Sequence, residues 1–389
     1  MKANYIDFEI NLFSLNQLPH FYTQIFDDLT DSVLFENKNE KALPVKLDNN
    51  ILVVKDIPAF FDLTIRKENK IAFKKIRQYP GYLMNFESFL SAEHYLKSRF
   101  GSSSRYKLRR EKKRLEYCFD IKHHMYFGEI TKEEYDYLMD YLYRFLRARS
   151  REKGIMNNIN LESKDFYKEK ILPMILQRKA SLYVIFNGNT PIDICINFHV
   201  NDIIYQYIRT YDIAYSKFKT GYTNLMKQIE WLIANEKKVI IFSSGNPEWK
   251  EKWCNSKYDY YYHYWYKKNS FQSKALVSLE LAKRRLRQFM VDKKLIDLYH
   301  SLVRRKHSST EAKTFEPGPI LSNSEHCFDE EKKVFALNEE SHYEIKRKLN
   351  DFLYSAHEKE KDVTIYEYIE TKNAFLFKGK EKSMNLSLL

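Results

Sequence analysis

The sequence predicts a mixed α/β fold, with a central mixed sheet flanked by helices. One observation is a meander of three strand-length runs separated by Asn187–Gly188–Asn189 and Asn201–Asp202. Another is a helical spacing of apolar residues that leads into a short apolar stretch, as in a helix followed by a buried strand. The predicted elements are strands over 181–186, 192–200 and 203–210, a helix over 222–235, and strands over 238–242 and 258–266. This order places the loop after the third strand at a carboxyl edge of the sheet, where open sheets hold ligands.

The residues before this meander are predicted to be largely helical after position 90 and mixed before it. Serine side chains cap helix starts, so Gly101–Ser104 is predicted to separate two helices within 92–116. The other predicted elements are a helix over about 18–29, a strand over 119–130, a helix from the capping residue Thr131 to about 154, and a helix over 163–179 interrupted near Pro173.

Changes in composition and periodicity divide the chain into five predicted parts. They are an N-terminal α/β half over 1–90, a central α/β domain over 91–270, basic amphipathic helices over 271–308, a linker over 309–330 and a small α/β unit over 331–389. The linker is predicted from its Ser, Thr, Pro and Gly content.

The chain of 389 residues has 65 basic and 52 acidic side chains, for a formal net charge of +13. This charge favours polyanionic partners such as phosphorylated cofactors, nucleic acid or an anionic membrane surface. For 273–307 we expect packing against the body of the protein, with adsorption to anionic lipid as the alternative. The four cysteines lie far apart, so neither a disulfide framework nor a metal site is predicted. With no apolar run of signal-peptide or membrane-spanning length, we expect a cytoplasmic protein, peripheral at the inner membrane surface in the alternative.

A basic loop ends in Gly221 and opens directly into the predicted helix. The first turn of a helix has backbone N–H groups without partners and carries partial positive charge, so it suits an anion. Gly221 lets the backbone approach a phosphate, and Lys217 and Lys219 add flanking positive charge. The alternative is a simple strand-to-helix turn whose lysines face water.

Several of these features together resemble the GNAT acyltransferase superfamily. They are Tyr211–Asp212, the helix-opening Gly221, an apolar strand ending in Gly245, Trp249–Lys250 with Trp253, and the basic segment 104–116 upstream. More narrowly, residues from about 91 to 269 resemble the bacterial branch of cellulose-biosynthesis-type acetyltransferases, which is related to Fem-type peptidyl transferases. Since Fem-type proteins have two GNAT-like halves, the first 90 residues are interpreted as a degenerate GNAT-like half or as an accessory sheet.

The resemblance implies direct transfer of an acyl group, in the first instance acetyl, from acyl-CoA to an amine or hydroxyl. The acceptor it implies is a small molecule, a sugar or a cell-envelope precursor. The implied donor-binding residues are Lys217, Lys219, Thr220, Gly221 and Tyr222; the implied base is Asp212, and the implied substrate-binding residues are Tyr207, Arg209 and Lys250. Asp212 has a structural alternative as a cap of the loop.

Two other functions stay open at this level. GNAT loops carry two glycines where this chain has Gly221 alone, so an aminoacyl-tRNA donor, as in Fem-type relatives, is retained as an alternative. A membrane- or nucleic-acid-binding protein without catalysis would also account for the basic charge. Apart from tRNA, no nucleic-acid partner is expected, because no stacking motif of an RNA-binding module is present.

Overall fold

A computed structural model describes residues 3–37, 42–43, 47, 50–153, 164–242, 247–292, 315–323, 331–338, 342–371 and 373–388. Gly245 and the segment 293–308, to which predictions were attached, lie outside the described residues.

The strands are β1 (Ala3–Asp7), β2 (Leu18–Pro19), β3 (Tyr22–Asp27), β4 (Ser32–Glu36), β5 (Ala42–Leu43), β6 (Ile51–Pro58), β7 (Phe61–Ile65), β8 (Ile71–Asn85), β9 (Ile121–Tyr126), β10 (Ala180–Asn187), β11 (Thr190–Val200), β12 (Ile203–Tyr211), β13 (Val239–Phe242), β14 (Ser256–Lys267), β15 (Phe315–Ser322), β16 (Lys332–Val334), β17 (Thr364–Tyr368), β18 (Ala374–Lys378) and β19 (Lys382–Leu388). The helices are α1 (Phe8–Ile10), α2 (Ala92–Arg99), α3 (Ser102–Cys118), α4 (Lys132–Lys153), α5 (Lys164–Leu176), α6 (Thr220–Ala234), α7 (Pro247–Trp253), α8 (Phe271–Asp292) and α9 (Tyr343–Ala356).

A nine-stranded mixed sheet forms the centre of the described protein, in the order β1-β6-β14-β8-β13-β12-β11-β10-β9. β9 to β12 form an antiparallel meander, and β13 pairs parallel to β12 after the α6 crossover. This confirms the predicted mixed α/β fold. The first ninety residues supply β1, β6 and β8 to the same sheet, and β8 lies between β13 and β14.

Apolar side chains cover both faces of this sheet. On one face α4 and α5, through residues such as Leu142 and Ile171, share a core with Ile196 of β11. On the other face α6 packs with α2 and α3 through residues such as Ile229 and Leu108. The site described below lies where α6 meets the second face.

Local signals explain where α4 begins and where α2 and α3 are separated. Thr131 accepts a hydrogen bond from the amide of Glu134 at 3.1 Å, and the Glu134 carboxylate accepts one from the Thr131 amide at 3.2 Å. This reciprocal pair is a capping box and starts α4 as predicted. α2 and α3 are separated at Phe100 and Gly101, close to the predicted break.

The helix predicted over about 18–29 is wrong, because Tyr22–Asp27 forms β3. β3 pairs with both β4 and β7, and the register shifts once along each pairing. A bulge adds a residue between side chains on one face, so the apolar spacing becomes three rather than two. Tyr22 and Ile25, both fully buried, have this spacing, which imitates a helix in the sequence.

The C-terminal residues form a five-stranded sheet, β15-β19-β18-β17-β16, with α9 packed against it. β15 pairs with β19 from Phe315↔Leu388 to Ser322↔Lys382. Part of the predicted linker is therefore a strand, because its backbone pairs with residues far along the chain. α9 joins this unit to the main body by contacting the 3₁₀ turn Ile213–Phe218 between β12 and α6.

α8 packs against a face of the central sheet at β6 and β14, where Val277 and Leu281 are buried against Ile51 and Tyr264. This arrangement supports packing against the body for the described part of the predicted basic helices. Phe271, Leu279 and Leu286 are exposed on the same helix, and the membrane-surface alternative stays a prediction. In the described ranges, no helix has the length and apolar content needed to cross a membrane.

Candidate functional site

The parallel strands β12 and β13 pair over a short stretch, and the gap is the place beside β12 beyond the last described pair. β12 and β13 pair from Ile203↔Val239 to Gln206↔Phe242, where β13 ends, while β12 continues to Tyr211. The carboxyl ends of these strands and the N-terminus of α6 lie on the same side of the gap, since α6 is the connection between them. Ligands of open α/β sheets bind in such crevices.

A bulge in β12 decides which side chains face this gap. The pairing with β11 runs Ile196↔Ile208 and then Asn197↔Gln206, so Tyr207 is an extra residue in β12. One extra residue reverses the faces of the side chains beyond it. Tyr205 and Tyr207 therefore pack with the α4 and α5 core, whereas Arg209 turns to the α6 side.

A cleft of about 480 Å³ lies beside the first turn of α6. Its described lining includes four cations, Arg149, Arg209, Lys219 and Lys252, and one carboxylate, Glu248. Because the cations outnumber the carboxylate in this lining, the net positive field of the cleft favours anions.

Arg209 is held against Gly221 by a buried carboxylate. Asp193 on β11 has no exposed side-chain area and accepts a hydrogen bond from Nη2 of Arg209, and Asn224 of α6 donates to its other oxygen at 2.7 Å. Burial raises the pKa of Asp193, and the Arg209 guanidinium opposes this rise. Nε of Arg209 is buried and has no hydrogen-bond partner in the described part of the chain. The guanidinium is thus fixed in place where it lines the cleft.

Gly221 serves this arrangement by lacking a side chain. A Cβ at this position would lie 2.6 Å from Nη1 of Arg209 and 2.8 Å from its Cζ. The left-handed residue of the turn is Lys219, with a φ of 52°. Glycine is therefore required at this turn because Arg209 lies so close to it, and not because of the backbone conformation at position 221.

The N-terminus of α6 has no side-chain cap. Lys219 occupies the capping position and its side chain accepts no hydrogen bond there. The amides of the first turn thus point to the cleft without a side-chain acceptor, and the helix dipole adds partial positive charge. Thr220 is buried at this end of the helix, and Tyr222 stacks on Trp253 of α7 with ring centroids 5.7 Å apart.

The structure thus brings together Lys219, Thr220, Gly221, Tyr222 and Arg209 of the predicted site residues. Lys217, Tyr207 and Lys250 lie elsewhere. Nζ of Lys217 bonds Oγ of Ser355 on α9 at 2.9 Å, and Tyr207 donates to the hydroxyl of Tyr167 on the opposite face of the sheet. Lys250 is buried, which lowers its pKa to about 8.

Asp212 lies outside this cleft, in the contact between the 3₁₀ turn and α9. Oδ1 accepts hydrogen bonds from the Ala214 amide at 3.0 Å and the Tyr343 hydroxyl at 2.7 Å. Oδ2 lies 3.3 Å from Nζ of Lys346, and both side chains are buried. These contacts make Asp212 a cap and a brace. None of them supports a role as general base, which stays a prediction.

Sequence reasoning missed several residues of the cleft. Arg149 comes from the end of α4, and Trp249 and Lys252 come from α7, so distant segments had to meet. Asp193 and Asn224 can be recognised in the sequence as polar residues at apolar positions, a signal that the prediction did not use. Asp193 interrupts an apolar strand, and Thr220, Asn224 and Gln228 recur at four-residue spacing on the face of α6 that faces the sheet. Buried polar residues of this kind require partners.

Comparison with known protein families gives a match in the central part of the chain. Residues 102–251, which contain the meander, the gap and α6, match the family model of an acetyltransferase (GNAT) domain. The chain matches no curated protein.

Among solved structures, the likenesses are slight. A conserved protein of unknown function from Bacteroides thetaiotaomicron is similar at 10% identity and a TM-score of 0.36, over 56% of this chain and 70% of that one. The C-terminal domain of a protein described as a lysylphosphatidylglycerol synthetase, from Agrobacterium fabrum, is similar at 8% identity and a TM-score of 0.38, over 60% of this chain and 72% of that one. A tandem GNAT protein from the clavulanic acid biosynthesis pathway has 7% identity and a TM-score of 0.29, over 55% and 63% of the two chains. At these scores they carry no functional conclusion.

The domain match confirms the prediction of an enzyme of the GNAT acyltransferase type for residues 102–251, while the cellulose-biosynthesis and Fem-type branches stay a prediction.

Proposed function

We propose that the cleft at the first turn of α6 binds the phosphates of acyl-CoA, and that the acyl group passes to an amine or hydroxyl of a small molecule, a sugar or a cell-envelope precursor. The observation that carries this proposal is the fixed Arg209 guanidinium beside an uncapped helix N-terminus. A diphosphate there would accept bonds from first-turn amides, and from Arg209 and Lys219.

The gap between β12 and β13 supports the rest of the donor's path. A pantetheine arm that starts at phosphates beside α6 would lead along β12 from Arg209 towards Gln206, which lines the cleft and pairs with Phe242. Paired strands on both sides would exclude water from the thioester at that point. The side chains of Tyr222, Trp249 and Trp253 supply apolar walls at the cleft mouth.

An aminoacyl-tRNA donor remains the second candidate, because cations also lie outside this cleft. Arg147 and Arg151 line a neighbouring cleft of about 330 Å³ next to α9. Lys107, Arg110 and Lys113 are exposed along α3. A tRNA backbone would engage many such charges, so its binding would weaken steeply with added salt.

The charge swap Lys219→Glu is expected to raise the Kd of acetyl-CoA about tenfold to a hundredfold, because it removes a phosphate contact and adds repulsion. Lys217→Glu is the matched control, since Lys217 lies two residues away and points to α9. Isothermal titration with acetyl-CoA and free CoA measures both variants. Equal effects of the two swaps would refute the assignment of the cleft. A wild-type protein that binds neither CoA species but binds aminoacyl-tRNA would favour the second candidate.

Gly221→Ala should also weaken CoA binding at least tenfold and lower the thermal midpoint. The added Cβ displaces the Arg209 guanidinium from the buried Asp193 carboxylate, and this loss outweighs the preference of about 1 kcal/mol that alanine has over glycine in a helix. Gly101→Ala serves as the control, because nothing lies within 4 Å of a Cβ built there. The close approach to Arg209 would be irrelevant to donor binding if Gly221→Ala kept the wild-type Kd.

A further inference from the structure

The helix α8 has apolar side chains on two opposite faces. One face is buried, because Val277 and Leu281 pack on β6 and β14 of the central sheet. On the other face, Phe271, Leu279 and Leu286 are 84%, 52% and 60% exposed. A helix that packs on a sheet needs only one apolar face, so the second face requires an explanation of its own.

The exposed apolar residues of α8 form one continuous stripe. They are spaced by four, four, three and four positions, and all are exposed: Phe271, Ala275, Leu279, Ala282 and Leu286. At 3.6 residues per turn, this spacing keeps them within about 80° of the helix circumference, on the side away from the sheet. Apolar residues that are exposed singly are normal, whereas a contiguous apolar surface marks a site of interaction. These five residues are called the exposed stripe below.

Polar contacts hold α8 in this orientation. The hydroxyl of Tyr5 on β1 donates to Oε2 of Glu280 at 2.6 Å, and Nη1 of Arg284 donates to the hydroxyl of Tyr262 on β14 at 3.0 Å. Ser273, one turn before Val277, is fully buried on the same side of the helix. The helix therefore cannot turn its exposed stripe towards the sheet without breaking these contacts.

Positive charge borders the exposed stripe on both sides. At about 100° per residue, Lys274 and Arg285 lie along one border and Lys283 lies along the other, and all three are exposed. Nζ of Lys283 lies 3.1 Å from Oε1 of Glu280, which is 7% exposed and is the only acidic residue of the sequence between 271 and 286. The outer surface of α8 is thus apolar along its middle and basic at its borders.

These two properties decide between the partners that such a surface could bind. A second copy of this chain would bring basic borders against basic borders, which repel each other. The backbone of a nucleic acid would satisfy the basic residues, but its phosphates offer no apolar surface to Phe271, Leu279 and Leu286. An anionic bilayer offers both, since its acyl chains accept apolar side chains and its headgroups attract Lys and Arg.

We propose that α8 docks the protein on the surface of an anionic phospholipid bilayer. The helix axis lies parallel to the membrane, with the exposed stripe at the boundary between headgroups and acyl chains and the basic borders among the lipid phosphates. The contact is reversible, since one interfacial helix buries only a limited apolar area. This inference goes beyond the acyl transfer proposed for the cleft and does not depend on it.

Sedimentation of the full chain with vesicles tests the docking. Wild-type protein should bind vesicles made of equal parts of phosphatidylglycerol and phosphatidylcholine, and should bind vesicles of phosphatidylcholine alone about tenfold more weakly or less. Leu279→Ser and, independently, Phe271→Ser should each lower the partition into the mixed vesicles about tenfold, because each removes apolar area from the bilayer contact. Equal binding of wild type to both kinds of vesicle, or no binding to either, would overturn the proposal.

Leu176→Ser is the matched control for Leu279→Ser. Leu176 is 51% exposed, close to the 52% of Leu279, but it belongs to α5. The two helices lie on opposite faces of the sheet, since α8 packs on Ile51 of β6, whereas the next residue, Leu52, belongs to the core shared with α5. Leu176→Ser should keep the wild-type partition, and an equal loss in the two variants would contradict the role of α8.

Charge reversal tests the basic borders. Lys274→Glu combined with Arg285→Glu should lower the partition about a hundredfold, because two attractive charges near the lipid surface become repulsive. Lys170→Glu combined with Lys179→Glu changes the net charge by the same amount, and both of these lysines are exposed at or just after α5. If both double variants lost binding equally, the net charge of the protein and not α8 would account for the attraction, and the proposal would fail.

Two further results would assign the outer surface of α8 to another partner and overturn the proposal. In analytical ultracentrifugation, a wild-type dimer without lipid that becomes a monomer in Leu279→Ser would show that a second copy covers the exposed stripe. Binding of duplex DNA that is lost in Lys274→Glu with Arg285→Glu, without any vesicle binding by wild type, would assign the basic borders to nucleic acid. All variants should keep the wild-type thermal midpoint, because substitutions of exposed side chains change stability little.

Discussion

Replacing Arg209 with methionine should lower the free energy of unfolding by about 3–5 kcal/mol and abolish high-affinity binding of CoA. The reason is the position of Asp193, whose side chain has no exposed area and whose charge is compensated by Arg209. Removing one partner of a buried ion pair leaves the other charge in a low-dielectric interior. Urea unfolding and calorimetric titration with CoA measure the two effects.

The double variant Arg209→Met with Asp193→Asn separates stability from binding. Both charges are then gone, and the amide oxygen at position 193 still accepts the hydrogen bond from Asn224. We expect most of the stability to return, because a neutral pair has no uncompensated charge, and CoA affinity to remain low. Arg149→Met is a useful comparison, since Arg149 lines the same cleft over the ring of Tyr211 and should weaken binding with little loss of stability. A stable Arg209→Met protein would show that Asp193 tolerates its isolation.

Replacing Lys346 with methionine should also cost about 3–5 kcal/mol of folding free energy. Lys346 and Asp212 are 5% and 3% exposed and lie 3.3 Å apart, so the loss of the ammonium leaves the carboxylate buried beside the 3₁₀ turn. Asp212→Asn should be destabilising for the converse reason, and combining it with Lys346→Met should restore much of the stability. Chemical unfolding of the three variants provides the measurement.

The same variants test the two interpretations of Asp212. A bracing role predicts that Asp212→Asn and Lys346→Met have similar effects on CoA affinity and on thiol release, which is the rate at which CoA is released from acetyl-CoA. The reason is that both variants loosen the turn before α6. A general base predicts that Asp212→Asn alone abolishes thiol release while its fold and CoA affinity are kept. Lys217→Met, which removes an exposed contact to the same helix, should change stability by less than about 1 kcal/mol.

The order of elements between β9 and β14, except for the short helix α7, could be predicted because each of the others has a strong local signal. The capping box of α4 and the alternation of the meander depend on neighbours in sequence alone. The helix predicted over 222–235 matches α6 to within two residues at its start and one at its end. Where a bulge changes the period, local reasoning fails. The bulge in β3 gives an apolar spacing that imitates a helix. The bulge in β12 places Tyr207 and Arg209 on opposite faces of the sheet, whereas strict alternation would place them on the same face.

The site itself was predicted only in its local part. The loop residues Lys219 to Tyr222 are adjacent in sequence, and a helix N-terminus has a known physical preference for anions. Arg149, Asp193 and Lys252 join them only because the sheet and two helices bring them there.

The position of β8 between β13 and β14 has a consequence for biosynthesis. β13, the strand that follows α6, pairs on one side with residues 82–85 of β8, which the ribosome makes much earlier. β8 also pairs with β14, up to residue 267. The segment 102–251 on its own would have a β13 with one bare edge, which is a template for aggregation. In the nascent chain, β8 therefore stays without these partners until β13 and β14 have been translated. Fragments used to study the enzyme need to include β8 and β14 as well as the segment between them.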